Sequence, residues 1–169
     1  MILRPDDSGT FRLVAGCVCF PSSWSLADKI GRPLDFIHGV VPDLNAQLGR
    51  PIDSFLAKLK PGGALWRSNW GLSRSSEWNQ HPSRDLPKLD AAVESNEVWL
   101  RVEHQVLVRL PQTGGILFGI RLDHHPLSHL QRDAELRRRF RLALESMPEA
   151  MWEYKNAAKA RMRLLELLA

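Results

Sequence analysis

Val98-Trp99-Leu100-Arg101-Val102-Glu103-His104-Gln105-Val106-Leu107-Val108-Arg109-Leu110 alternates apolar and polar residues along most of its length. Successive side chains of a strand point to opposite faces, so Val98, Leu100, Val102, Val106, Val108 and Leu110 share one face. Arg101, Glu103, Gln105 and Arg109 share the other, and His104 falls on the apolar side. If helices cover both faces of the sheet, these polar groups need a ligand, each other or water as partners. If one face is open, they are the solvent side of an amphipathic strand. This segment therefore predicts a strand whose polar side is the strongest anomaly in the chain and a candidate site.

Downstream, Pro111-Gln112-Thr113-Gly114-Gly115 is turn chemistry, and Ile116 to Leu122 returns as the hairpin partner. Pro126 to Ala169 reads as helix in two pieces. Leu136, Phe140, Ala143, Leu144 and Met147 form one stripe, Pro148 restarts the helix, and Met151, Tyr154, Ala158, Met162 and Leu165 form the next. Upstream, Leu65 to Trp70 is strand-like, and Ser73 to Asn96 is a long polar loop. Asp43 is placed to cap a helix carrying Leu44, Leu48, Ile52, Phe55, Leu56 and Leu59, which Gly49-Arg50-Pro51 should kink or split. A short helix is expected over Leu26 to Ile30. Phe11 to Phe20 reads as a strand opening the chain in a hairpin, with Cys17 and Cys19 on it as small buried hydrophobes.

Two strands, short helices, three strands and a helical arm make an α+β chain. An antiparallel sheet interrupted after its second strand by helices over one face is the PAS-type layout, with a ligand pocket between helices and sheet. Residues 1–125 are expected to form the PAS-like domain and 126–169 a helical extension packed on it.

At 169 residues, with 44% hydrophobic and 25% charged side chains, the chain is long enough to bury one core. No apolar run approaches the ~20 residues of a membrane helix, and no secretory signal precedes Asp6-Asp7, so the cytoplasm is the expected compartment. Of the net +4, three charges sit in 132–141, where five arginines face two acids. So local an excess suits a solvated helix face or a docking patch for an acidic protein better than nucleic acid. G-x-G-x-x-G, Walker, G-x-S-x-G, C-x-x-C and H-E-x-x-H patterns are all missing, so any redox chemistry needs a borrowed cofactor and an electron-delivering partner. His38, beside Phe36 and Ile37, has the apolar surround of a haem ligand or of a half-buried structural histidine. His124, His125 and His129 read as a helix entrance, with a metal pair as the alternative.

Cys19-Phe20-Pro21-Ser22-x-Trp24, Lys29-x-Gly31, Ile37-His38-x-x-Val41-Pro42, Arg67-x-Asn69-Trp70, Leu100-Arg101-Val102-Glu103-x-Gln105 and Arg109-Leu110-Pro111, with Ile120-Arg121 and Tyr154-Lys155, run in order along nearly the whole chain. Together they resemble the haem-dependent oxidative N-demethylase catalytic (alpha) subunit family. The resemblance implies a haem-binding PAS-like domain that demethylates a small secondary amine, such as dimethylamine, to a shorter amine and formaldehyde. It also implies dioxygen as co-substrate and a reductase-type partner that carries flavin and an iron–sulfur cluster. By motif position His38 would be the axial ligand, Arg67, Arg101 and Arg121 would pair with propionates, Glu103 would hold the substrate ammonium, and Gln105 and Asn69 would orient oxygen or substrate. The alternative is a non-catalytic PAS-like module that senses haem or a small ligand. The sequence departs from the family pattern at Val40, where proline is common, at His104, where arginine is usual, and at Leu122-Asp123, which replaces a Thr-Tyr-like pair. Family members carry a sizeable region ahead of the first block, so the chain reads as N-terminally short.

Overall fold

The computed structural model describes the backbone of residues 1–169 and the side chains of residues 1–44 and 52–169. Strands β1 (Ile2–Pro5) and β2 (Phe11–Ala15) form the opening hairpin, and helices α1 (Leu34–His38) and α2 (Leu44–Lys58) follow. Strands β3 (Ala64–Ser73), β4 (Trp99–Arg109) and β5 (Ile116–Pro126) complete the sheet. Helices α3 (Leu127–Arg132), α4 (Ala134–Glu145), α5 (Glu149–Tyr154) and α6 (Arg161–Leu167) form the C-terminal arm.

The sheet is antiparallel with order β2-β1-β5-β4-β3, so the last strand to form a hairpin lies beside the first strand of the chain. The α+β, PAS-like expectation holds. Several local expectations do not. The sheet pairing of β2 ends at Ala15 because β1 supplies partners only from Ile2 to Pro5, and Cys17 and Cys19, beyond the ladder, are exposed rather than buried. Residues 26–30 make a single turn, with the Lys29 and Ile30 amides both donating to the Leu26 carbonyl, and no helix forms. Asp43 precedes α2 with a left-handed φ of 57° and no side-chain cap bond. Helix α2 runs unbroken from Leu44 to Lys58, so Gly49-Arg50-Pro51 does not split it, and Leu48 of the apolar stripe lies outside the described side chains.

Hydrophobic packing places the helices on opposite faces. Leu34 of α1 and Leu56 of α2 join Leu3, Phe11, Leu13 and Ile116 in one core, with Leu107 of β4 against it. Arg109 donates to the Leu56 and Ala57 carbonyls at 3.2 and 3.0 Å, satisfying acceptors that the last turn of α2 leaves open. The C-terminal arm builds the second core from Leu127, Leu130, Phe140, Leu144, Met147, Trp152 and Leu164, closed by Leu89, Val93 and Val98 and by Trp70, Leu72 and Leu100. Each fully buried side chain of this size contributes about 1.5–3 kcal/mol, which anchors the arm to the sheet. The arm is four helices rather than two pieces: Asp133 accepts from the Glu135 and Leu136 amides and so starts α4, and Asn156, at φ 53°, ends the turn after α5. Among the described residues no helix is long and apolar enough to cross a membrane.

Candidate functional site

Register decides which polar groups meet. Arg67 pairs with Gln105, Asn69 with Glu103, and Gln105 in turn with Ile120, so these side chains share the face that α1 and α2 partly cover. Leu65 and Leu107, Phe118, Leu122 and His124 belong to the same face. The opposite face carries Trp66, Ser68, Trp70, His104, Val106, Gly119, Arg121 and Asp123.

On the helix-covered face a continuous polar chain runs across β3 and β4. The Arg67 Nε donates to Gln105 Oε1 at 2.6 Å, and Gln105 Nε2 donates to Glu103 Oε2 at 2.9 Å. The other carboxylate oxygen of Glu103 accepts from the Ser22 hydroxyl at 3.0 Å. Ser22 in turn accepts from Arg101 at 3.4 Å, and Arg101 spends its remaining donors on the Glu77 and Trp78 carbonyls at 3.1 and 3.0 Å. Arg101 and Gln105 are buried, so the fourth strand's polar side is neither solvent-facing nor unsatisfied.

Ser22 reaches Glu103 because its segment is zipped to the long loop. Ser23 donates to the Gln80 carbonyl and Gln80 to the Pro21 carbonyl, both at 3.0 Å. The buried Gln80 amide then holds Ser73, Ser75 and Glu77 at 2.7, 3.2 and 3.0 Å. Sequence reading missed Ser22, although it stands in the first of the family-like blocks.

Tyr154 and Lys155 are also missed residues, and the Tyr154-Lys155 block was the signal. Lys155 ends α5, donates from Nζ to the Trp70 carbonyl at 2.5 Å at the edge of β3 and sits 4.4 Å from the Trp70 ring centroid. Burial lowers its pKa while the Glu103 carboxylate opposes the shift. Burial, then Glu103, raises the Tyr154 pKa, with Arg67 opposing. Both side chains therefore lie within electrostatic reach of Glu103.

Two imidazoles face this side in neutral form. His38, the last residue of α1, has its pKa lowered by burial and then by the Arg67 guanidinium, against the Asp53 and Asp35 carboxylates. His124 is pushed down to about 4 by burial and by Arg101. Its ring lies 4.8 Å from Trp99 and 5.8 Å from Trp78, and its buried Nε2 has no hydrogen-bond partner among the described residues. The three histidines expected at a helix entrance are split: His124 and His125 are consecutive in β5 and point to opposite faces, and α3 starts only at Leu127. Among the described residues no three His, Cys, Asp or Glu side chains gather as a metal site.

The structure thus brings His38, Arg67, Asn69, Arg101, Glu103 and Gln105 to one face. It places Arg121 on the other, where Nη2 donates to Asp123 Oδ2 at 3.2 Å. Neutral imidazoles, the solvent-exposed guanidinium of Arg67 and the exposed apolar side chains Leu65 and Ile120 fit a flat apolar metal complex with acidic substituents, which is the chemistry of haem. Arg101 is already committed to backbone carbonyls, which leaves Arg67 as the accessible guanidinium on this face. The family described as haem-dependent oxidative N-demethylase, alpha subunit-like, matches residues 1–165 of the chain.

Proposed function

The chain belongs to the haem-dependent oxidative N-demethylase, alpha subunit-like family, and from that premise we propose that it is the haem-carrying subunit of an enzyme that demethylates a small secondary amine of the dimethylamine type. Haem, when bound, supplies the activation of dioxygen needed to oxidise an N-methyl group, with a shorter amine and formaldehyde as products. His38 would hold the iron, Arg67 a propionate, and the electrons would come from a separate flavin and iron–sulfur partner in the cytoplasm.

The observation that carries this reading is Glu103: a carboxylate fixed through both oxygens, by Ser22 and by Gln105, on a half-buried floor. A pre-oriented carboxylate in a partly desolvated site stabilises a dialkylammonium ion without reorganising on binding. Lys155 sets the charge balance there, and Tyr154 keeps its hydroxyl proton and can donate it toward the substrate. Asn69, opposite Glu103 in the ladder, faces the same space.

His124 favours a second assignment of the iron ligand on one specific observation, its buried and unpartnered Nε2. A neutral imidazole with one nitrogen unsatisfied is the state a metal requires. Titration of the chain with hemin, followed by turnover of dimethylamine with a reductant and formaldehyde assay, tests the proposal. A stoichiometric Soret band with no formaldehyde release from any small amine would leave a haem-sensing module instead.

A further inference from the structure

On the face of the sheet opposite the site above, beyond the part that the C-terminal arm covers, Trp66, His104, Val106, Gly119 and Arg121 line a cleft of about 360 Å³, with Ile120, whose register belongs to the other face, completing the lining. Its floor is flat because Gly119 has no side chain: a Cβ there would stand 2.9 Å from Val106 Cγ1. Trp66, on edge strand β3, forms one wall and leaves 69% of its surface in solvent. Exposed aromatic surface of this size on a sheet face gains free energy when a flat apolar body covers it.

The far end of the cleft is polar and organised. His104 Nε2 and Arg121 Nη2 converge on the same oxygen, Asp123 Oδ2, at 2.9 and 3.2 Å, and Ser68 Oγ lies 3.4 Å from His104 Nδ1. Asp123 fixes the Arg121 guanidinium from one side, while the Arg121 side chain remains 74% exposed. Among the described residues its other N–H donors make no hydrogen bond, so beside an apolar plate they are available to a carboxylate. A cationic ligand would meet Arg121 first.

We propose that this cleft binds a small flat apolar carboxylate, with the ring system on Val106 and Gly119 against Trp66 and the carboxylate on Arg121. The site is independent of haem, since it lies on the opposite face of the sheet.

Titrating the full chain, with and without hemin, with 2-naphthoate and with the neutral 2-naphthamide tests the proposal, using calorimetry for affinity and two-dimensional NMR of the hemin-free chain for location. Saturable naphthoate binding that shifts the Trp66 indole and the Gly119 amide is expected, unchanged by hemin. Arg121→Met, at an exposed position that leaves the fold intact, should weaken naphthoate at least tenfold and leave naphthamide unchanged, and Trp66→Ala should weaken both. Absence of saturable binding, equal affinity in Arg121→Met, displacement of naphthoate by hemin, or self-association that shields Trp66 would each overturn it. Failure of hemin to bind would refute the haem reading without touching this one.

Discussion

The Ser22 hydroxyl donates to Glu103 across 81 residues of sequence, at 3.0 Å, and the same oxygen accepts from Arg101. One hydroxyl thus joins the segment after the second strand to the sheet floor and separates a carboxylate from a guanidinium two residues along β4. Ser22→Ala removes both bonds. A loss of about 1–2 kcal/mol of stability is expected from the urea midpoint, because Arg101 and Glu103 lose a part-buried partner. Michaelis constants for amine should rise several-fold while hemin affinity holds.

Glu103→Gln keeps the shape and removes the charge. Turnover of dimethylamine, measured as formaldehyde, should fall at least tenfold in kcat/KM with an unchanged Soret band. Equal loss of haem would make Glu103 a structural partner of its neighbours only.

His38→Ala and His124→Ala separate the two candidate ligands. Hemin titration should show loss of the stoichiometric Soret band in His38→Ala and its retention in His124→Ala. The reverse pattern would move the iron to the unpartnered Nε2 of β5.

His124 also makes stability depend on pH. Its folded pKa, about 4, lies below the ordinary histidine value of 6.5, so the unfolded chain binds the extra proton first. Stability contributed by the neutral ring is complete above about 6.5 and declines as pH falls toward 4. Allowing for solvent screening of a partly exposed ring, the loss is about 1–2 kcal/mol. Urea midpoints at pH 7 and pH 5 should differ in the parent hemin-free chain, and His124→Gln should flatten the slope.

The arginine run of α4 is more balanced than its composition suggests. Arg138 and Arg139 both bond Glu135, and Arg141 bonds Glu145. Such exposed pairs contribute little to stability, so the triple reversal of Arg137, Arg138 and Arg139 to Glu should fold normally. It should slow haem reduction by an acidic partner at low ionic strength and leave dithionite reduction unchanged. An unaltered partner-driven rate would return the run to a solvated helix face.

The alternation from Val98 to Leu110 determined strand β4 and the placing of Arg101, Glu103 and Gln105 on one face, because a strand's side-chain period of two is a local property. Turn chemistry and stripe spacing likewise placed the β4–β5 hairpin and the helical arm. Family membership was legible in spaced blocks that need no contacts to be read.

Tertiary structure decided everything that depends on which strand lies beside which. Arg121 is adjacent to Ile120 in sequence, yet the register sets it on the face away from Arg67. The early end of the β1–β2 ladder exposed both cysteines. Ser22 and Tyr154-Lys155 reached Glu103 only through loop pairing and the packing of the arm on β3. His104 and Asp123, two separate departures from the family pattern, became partners at 2.9 Å across β4 and β5. Local pattern specifies which way a side chain points within its own element. Proximity between elements comes from long-range packing and register, where a shift of one residue exchanges the two faces.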